Sequence, residues 1–511
     1  MSNDAVPFPN QDSRTPTTVD LRSIARQAML DRGFLIQLPE DAEAQTAAEK
    51  EPAFEALRIS DLSSRFWSSI DNDDSRDLDQ VEYAVREGDS IRVYVGVADV
   101  DWFVPQNTPL DRAAQHNTTS VYTGILTFPM LPEHLSTNLS SLNEGVKRLA
   151  MVAEMLVSKD GEVLESSIYP AIVQNQAQLT YNAVALWLEQ QGSDPVAPNP
   201  SGVTAKVLQR IQNTADLRDQ LLIQNEAAER LRNRRHQAGA LSLETLELQP
   251  ILSSEGHVVD LATRRPTPAS RLIEDFMIAA NQVTATFLEK CGVASIRRVV
   301  KNPERWDRLV ALAAAQGYSL PPEPDAKSLE GFLKQQRQSD PTHFNELSLS
   351  VVKLLGRGEY VVQVPGTSST GHFGLAVPRY SHSTAPNRRY PDLLTQRLVK
   401  SGLANAKSVY SLEQLEALAE RCTHKEDDAN KVERQVRKCI AATVMRSHIG
   451  ATFPAIVTGT ALKGTWVRIV NPPVEGKLEG DVRGLAVGDK IQVQLKRVDP
   501  YKGFIDFERV F

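Results

Sequence analysis

The sequence has few cysteines, no long apolar run and no excess of basic residues. Its three cysteines, Cys291, Cys422 and Cys439, are odd in number and far apart, so they form neither a disulfide framework nor a zinc cluster. Reduced thiols of this kind are typical of cytoplasmic proteins. No stretch approaches ~18 uninterrupted apolar residues, which excludes a membrane span. The first residues also lack the basic start and apolar core of a secretory signal, so we expect a cytoplasmic protein.

Overall charge and length set further limits. The 57 basic and 64 acidic residues give a net charge of −7, which excludes a nucleic-acid binder that acts through bulk positive charge. Residues 379–446 nevertheless carry 13 basic against 8 acidic residues, so a local basic channel is compatible with this total. A chain of 511 residues with 41% hydrophobic residues predicts two or three globular domains.

The pattern along the chain divides it into three parts. Residues 1–56 predict a disordered Pro- and Ser-rich tail followed by a short helical arm, with Asp20 as a helix cap. Residues 57–447 begin with strands that alternate in polarity, such as IRVYVGVADV (91–100), and with a pair of strands around the Lys-Asp-Gly turn at 159–161. Long helices follow, among them one over 204–236, and the Pro-rich stretch 319–325 predicts a loop. Residues 450–511 return to short strands between glycines, which favours a small OB-type barrel. The predicted fold class is therefore α+β.

An acidic cluster carries the strongest chemical signal. Five aspartates fall within nine residues, directly before a strand: Asp71, Asp73, Asp74, Asp77 and Asp79. Beside a folded core they would repel one another unless a divalent cation neutralised them, and carboxylate oxygens suit Mg²⁺ or Mn²⁺. The spacing differs from that of an EF-hand. A solvated acidic loop that binds nothing is the alternative reading of the same residues.

Two further segments contain candidate ligand-binding side chains. Arg388 and Arg389 stand at a predicted helix start, where guanidinium groups favour a phosphate; an ion pair with Asp392 is the alternative. Tyr122 precedes an apolar Pro-rich turn, a setting more typical of a core residue than of a stacking platform.

Taken together, these segments resemble the ribonuclease II family over roughly residues 57–447. The family's motifs occur in the family's order: IDNDDSRDLDQ (70–80), VGVADV (95–100), LDRAA (110–114), SVYTGILTFPMLPEHLS (120–136), SLNEGVKRLAM (141–151), LIEDFMIAAN (272–281), HFGLAVPRYSHSTAPNRRYPDLL (372–394) and KVERQVRK (431–438). The C-terminal block resembles the RNA-binding OB barrel that follows this nuclease domain. The resemblance implies a mixed α/β RNB-type catalytic domain followed by an all-β barrel.

The resemblance also implies an activity. Members of this family are processive 3′→5′ exoribonucleases that hydrolyse single-stranded RNA to nucleoside 5′-monophosphates with Mg²⁺. We therefore expect a monomeric enzyme whose partner is single-stranded RNA and whose cofactor is Mg²⁺, with Mn²⁺ as a substitute.

The family's site residues carry over by motif position. Asp71 and Asp77 resemble metal-site carboxylates, Asp79 resembles the essential catalytic carboxylate at the metal, and Arg388 resembles the clamp on the scissile phosphate. Tyr122 resembles the aromatic that stacks on the terminal bases. Further expected RNA contacts are Arg389, Glu433 near the channel exit, Glu274 at a ribose 2′-hydroxyl, and the barrel aromatics Phe453 and Trp466.

Three departures from the family pattern bear on activity. Gln80, a neutral and weaker metal ligand, stands where the family has a second aspartate. The additional candidates for the metal site are therefore Gln80 itself, Asp73 and Asp74, and either aspartate could supply the missing carboxylate if the loop folds back. Residues 238–252 lack the second stacking aromatic, and a short helical arm stands where the family has two cold-shock barrels. The alternative function is therefore a catalytically inactive relative that binds RNA or serves as a scaffold.

Overall fold

The structure is a computed structural model that describes residues 19–190, 202–253, 255–341, 343–406, 408–461 and 464–511. The tail predicted over residues 1–18 lies outside the described residues. The arm contains two helices, α1 (Leu21–Leu30) and α2 (Glu40–Ala48). As predicted, Asp20 caps α1, because its Oδ1 accepts a hydrogen bond from the backbone N of Ser23 at 3.0 Å.

A six-stranded sheet forms the centre of the molecule. The first part of the chain supplies helix α3 (Pro109–Asn117) and eight strands: β1 (Ser60–Asp61), β2 (Trp67–Asp71), β3 (Gln80–Glu87), β4 (Ser90–Ala98), β5 (Val121–Tyr122), β6 (Thr127–Phe128), β7 (Lys147–Val157) and β8 (Val163–Thr180). The sheet order is β1-β8-β2-β3-β4-β7, and β8 also pairs with β7. β5 and β6 form a separate two-stranded sheet. The predicted strand pair around the turn at 159–161 is confirmed as β7 and β8.

Helices cover the sheet in the middle of the chain. They are α4 (Tyr181–Gln190), α5 (Gly202–Asn213), α6 (Ala215–Ala238) and α7 (Pro268–Lys290). The prediction of one helix over 204–236 is wrong, because Thr214 adopts an extended conformation that separates α5 from α6. Leu272, Phe276 and Ala280 of α7 are fully buried in the main core with the sheet.

Two short sheets and a second group of helices follow. A hairpin of β9 (Glu247–Leu252) and β10 (Val258–Arg264) precedes α7, and β11 (Ser295–Val299) pairs with β12 (Glu359–Gln363). Between β11 and β12 lie α8 (Trp306–Ala315), α9 (Ala326–Ser339) and α10 (Phe344–Leu355), which share a small core of their own. The Pro-rich segment 319–325 is the predicted loop.

The C-terminal part consists of two helices and a barrel. α11 (Tyr390–Leu403) and the 34-residue α12 (Leu412–Met445) precede a closed barrel of five strands: β13 (Thr452–Ala461), β14 (Gly464–Ile469), β15 (Glu475–Glu479), β16 (Lys490–Asp499) and β17 (Phe504–Val510). Met445 of α12 is buried in the core of the barrel with Leu495 and Phe507. The mixed α/β fold with a C-terminal barrel is confirmed. Among the described residues, no helix is both long and apolar enough to cross a membrane.

Candidate active site

The acidic cluster lies at one end of the central sheet, in the connection between β2 and β3. Asp71 is the last residue of β2, and Asp79 directly precedes β3. Backbone hydrogen bonds fix the end of this connection: the N of Ala98 donates to the O of Asp79 at 2.9 Å, and the N of Leu78 donates to the Oγ of Ser141 at 2.9 Å. The position of the Asp79 side chain is therefore set by the sheet.

Asp79 is the most buried carboxylate of the cluster, with 3% of its surface exposed. Its Oδ2 lies 3.4 Å from the Nε of Arg388, and its Oδ1 accepts a hydrogen bond from the backbone N of Asn387 at 3.1 Å. Burial raises the pKa of Asp79 to about 7, although Arg388 and the Asn387 N–H both lower it. A carboxylate with such a pKa can accept a proton near neutral pH.

Asp71 and Asp77 share the field of Arg388. Burial raises the pKa of each carboxyl group above its ordinary value, and Arg388 opposes the rise in both. The Oδ1 of Asp71 accepts hydrogen bonds from the N of Asn72 at 2.7 Å and the Oγ of Ser75 at 2.9 Å. Asp77 in turn raises the pKa of both Asp71 and Asp79. One guanidinium therefore faces three mutually repelling carboxylates, which leaves an excess of negative charge.

This excess suits a hard divalent cation. Within the part of the chain that the structure describes, no three His, Cys, Asp or Glu side chains are gathered closely enough to hold a metal ion on their own. Mg²⁺ does not require such a cage, because it keeps several waters and binds through one or two carboxylates together with substrate phosphate. The donors present are thus compatible with Mg²⁺ or Mn²⁺.

Tyr122 lies on the open side of the acidic cluster. It is on β5, 41% of its surface is exposed, and its hydroxyl donates to the Oδ2 of Asp77 at 3.5 Å. Its backbone N donates to the Oε1 of Glu433 on α12 at 3.0 Å. The exposed ring excludes the alternative that Tyr122 is a core residue. Glu433 orients the Tyr122 backbone, a contact that the sequence analysis did not predict.

The two arginines have different environments. Arg388 is exposed beside Asp79, whereas the Nη2 of Arg389 lies 2.7 Å from the Oδ1 of the fully buried Asp392. That Oδ1 also accepts a hydrogen bond from the N of Ala385 at 2.9 Å. The ion pair with Asp392, given above as the alternative, is therefore formed by Arg389. Its guanidinium has a partner within the fold and is not open to RNA.

The other aspartates of the cluster contact different parts of the molecule. The Oδ2 of Asp73 accepts hydrogen bonds from Asn182 of α4 at 2.9 Å and from Thr204 of α5 at 3.1 Å. Asp74 is exposed. Asp73 thus binds helices rather than replacing the carboxylate that position 80 lacks.

Gln80 and Glu82 occupy one face of β3. Gln80 is buried and begins the strand, and Glu82 follows two residues later, so both side chains leave the same face. Glu82 is fully buried, and burial raises its pKa well above the ordinary value, with Asp71 adding to the rise. Glu82 was not among the predicted site residues, although a glutamate within the otherwise apolar strand VEYAV was a signal for it.

Glu274, the predicted contact to a ribose 2′-hydroxyl, lies on α7. Glu274 is exposed there, next to Asp275, which is buried and forms ion pairs with Arg232 and Arg235 of α6. These ion pairs fix the helix that carries Glu274.

One turn of the barrel exposes two aromatic residues that were not among the predicted RNA contacts. Phe453 and Trp466 are half-buried, and Phe453 packs against the ring of His448. Tyr501 and Phe504, at the turn between β16 and β17, are each 56% exposed. They line a cavity of about 500 Å³ that also contains three basic side chains, Arg446, Arg497 and Lys502. The sequence analysis did not predict this surface.

Comparison with known proteins identifies the family. Residues 59–405 match the RNB domain, and residues 451–510 match the C-terminal S1 domain of RNase II-type exonucleases. Ribonuclease R 1 of Lactococcus lactis is 30% identical over 497 residues, which cover 91% of this chain and 58% of that protein. The chain thus spans about three fifths of the length of such curated relatives.

Solved structures show the same fold. The RNase R of Mycoplasma genitalium, in complex with ribose-methylated single-stranded RNA, superposes with a TM-score of 0.84 at 20% identity and covers 96% of this chain and 78% of that one. The yeast pseudonuclease Ssd1 superposes with a TM-score of 0.67 at 14% identity and covers 94% of this chain and 58% of that one. Likeness at this identity establishes the fold but not the activity. With an RNB domain match over two thirds of its length and the S1 domain behind it, the chain belongs to the RNB family of RNase II-type proteins.

Proposed function

We propose that the chain is a 3′→5′ exoribonuclease that hydrolyses single-stranded RNA to nucleoside 5′-monophosphates and depends on Mg²⁺. The observation that carries the proposal is the pair of Asp79 and Arg388, a nearly buried carboxylate held 3.4 Å from an exposed guanidinium. Phosphodiester hydrolysis needs a proton acceptor and a cation for the phosphoryl oxygens at one point. These two side chains provide both.

Arg388 acts on the phosphate. Its Nε faces Asp79, which leaves the two Nη groups to donate to the non-bridging oxygens of the scissile phosphate. Charge grows on these oxygens in the transition state, so the guanidinium stabilises the transition state more than the ground state.

Asp79 acts on the proton of the attacking water. Its Oδ1 is held by the backbone N of Asn387, and its raised pKa lets it take up a proton at neutral pH. Asp71, Asp77 and Asp79, together with water and the substrate phosphate, would hold the metal ion, which would supply Lewis acidity and a more acidic bound water. Gln80, at the start of β3, contributes no charge to this group.

Tyr122 and the barrel bind the RNA chain. The exposed ring beside Asp77 offers a stacking surface for the 3′-terminal bases, which any base can use. Tyr501 and Phe504, with the basic side chains around them, offer a second binding surface farther along the strand. Two contacts on one strand would keep the RNA attached between cleavages, which supports a processive reaction. The catalytic unit would span residues 57–447, and the RNA-binding unit residues 450–511.

The second candidate function is an inactive RNA-binding scaffold. Gln80 favours it, because a position that carries an acid in the family is neutral here. The raised pKa of Asp79 argues for the enzyme, since a buried carboxylate of this kind destabilises a fold that has no use for it.

A labelled-RNA assay separates the two functions. Purified protein is incubated with 5′-labelled poly(A) and Mg²⁺, and the expected result is stepwise shortening from the 3′ end with release of AMP. Asp79→Asn should bind the RNA but leave it uncut, whereas Asp160→Asn, in the exposed turn between β7 and β8, serves as the matched control. EDTA should stop the reaction. RNA that stays at full length with wild-type protein refutes the enzyme and leaves the scaffold.

A further inference from the structure

Glu82 is an anomaly in the core behind the acidic cluster. It is 0% exposed, and neither of its carboxylate oxygens has a hydrogen-bond partner among the described residues. A buried carboxylate without partners is strongly unfavourable, so it is expected to have a partner of another kind. The nearby carboxylate of Asp71 makes the electrostatic cost larger.

The donors near Glu82 do not reach its carboxylate oxygens. Ser68 of β2 lies directly opposite Glu82 across the two strands. The Nε2 of Gln224, on α6, lies 3.4 Å from the Oγ of Ser68 and 3.5 Å from the backbone O of Glu82. The amide Oε1 of Gln224 is also buried, and no described residue donates to it. Both the glutamate and the glutamine thus leave oxygen atoms unsatisfied in one region.

A cation explains this arrangement better than a protein donor does. Carboxylate and carboxamide oxygens are the ligands that Mg²⁺ and Mn²⁺ prefer. A metal site at the acidic cluster lacks one carboxylate ligand, because position 80 holds a glutamine and Asp73 is hydrogen-bonded to α4 and α5. Glu82 stands two residues beyond Gln80 on the same face of β3.

We propose that Glu82, with the amide oxygen of Gln224 behind it, completes a divalent-cation site that begins at Asp71 and replaces the acid that position 80 lacks. The inference rests on the proposed metal-dependent function and assigns this chain's own residues to the metal. Glu82 acts as a ligand or through one bound water, and in either case its negative charge tightens the site.

Metal binding can be measured without RNA. The full chain is stripped of metal and titrated with Mn²⁺, and free Mn²⁺ is followed by electron paramagnetic resonance. Glu82→Gln should weaken Mn²⁺ binding on the order of 10–100-fold, the usual cost of losing a supporting group at a metal site. The matched control is Glu162→Gln, an exposed glutamate near the turn between β7 and β8, which should bind as wild type does. An affinity of Glu82→Gln within twofold of wild type overturns the proposal, as does a wild-type chain that binds no Mn²⁺.

A double-mutant cycle tests whether positions 80 and 82 share one role. Gln80→Asp should tighten Mn²⁺ binding much more in the Glu82→Gln background than in the wild-type background. Equal gains in both backgrounds would show that Glu82 has no part in the site. Thermal unfolding in EDTA serves as the folding control, because Glu82→Gln removes an unpartnered carboxylate and should not lower the unfolding temperature.

A second variant decides the matter if Glu82→Gln fails to fold. Gln224→Met removes the amide oxygen but keeps an unbranched side chain of similar length, and it should weaken Mn²⁺ binding several-fold; unchanged binding overturns the proposal. Cleavage of labelled poly(A) is recorded separately. A chain that binds Mn²⁺ through Glu82 but leaves RNA intact would refute the proposed function and keep the site.

Discussion

Replacing Asp79 by asparagine should make the protein more stable while it removes activity. Burial raises the Asp79 pKa from 3.8 to about 7, so the folded state keeps this proton over a pH range in which the unfolded chain has lost it. As the pH rises from about 4 to about 7, the unfolded chain gains the free energy of ionising Asp79 while the folded state stays protonated, so stability falls. Asparagine resembles the protonated acid in shape and carries no charge, so it avoids this cost.

The size of the effect follows from the shift. A change in pKa from 3.8 to about 7 lowers the free energy of unfolding by roughly 4 kcal/mol at pH 8. At pH 5 the loss is only roughly 2 kcal/mol, because this pH lies only a little above the pKa of Asp79 in the unfolded chain. The gain from Asp79→Asn should therefore grow by roughly 2–3 kcal/mol between pH 5 and pH 8. The shift already includes the favourable contacts of Asp79 with Arg388 and the Asn387 N–H.

Urea unfolding in EDTA, followed by tryptophan fluorescence at pH 5, 6, 7 and 8, measures this difference. The matched control is Asp160→Asn, an exposed aspartate whose replacement should shift the unfolding midpoint little at any pH. An Asp79→Asn variant that is no more stable than wild type at pH 8 would refute the reasoning. So would a gain that stays constant from pH 5 to pH 8, because it would not arise from titration of Asp79.

Three more predictions concern the neighbouring residues and the barrel. Arg388→Ala should lower kcat for RNA cleavage on the order of 10²–10³-fold, with a smaller loss of stability than Arg389→Ala because the Arg388 guanidinium is exposed. Arg389→Ala should instead destabilise the fold by roughly 3–5 kcal/mol, because it leaves the buried Asp392 unpaired; equal behaviour of the two variants in cleavage and unfolding assays would contradict the division of roles. Tyr122→Ala should raise the KM for short oligonucleotides about tenfold, a stacking loss that Tyr122→Phe should not show in the same kinetic assay. A double Tyr501→Ala, Phe504→Ala variant should weaken RNA affinity in a filter-binding titration at low salt, and an unchanged Kd would mean that RNA does not contact this surface.

The sequence by itself determined the class of fold and the family. Alternating polarity in IRVYVGVADV predicted β4, and short strands between glycines predicted the closed barrel, because these patterns depend on local geometry alone. The ordered motifs predicted the family, which the domain matches confirm. Periodicity could not predict the break between α5 and α6 at Thr214, because both flanking segments have helical periodicity.

Only the tertiary structure decided which of the two arginines and which of the clustered aspartates are buried, exposed or paired. Arg388 and Arg389 are adjacent and chemically identical in sequence, but the extended backbone at Arg389 directs one guanidinium to Asp79 and the other to Asp392. The same holds for the aspartates, because the sheet buries Asp79 and leaves Asp74 exposed. Burial and long-range partners set charge, pKa and access, and they depend on residues hundreds of positions apart, such as Asp79 and Arg388. Local sequence patterns contain no information on such contacts.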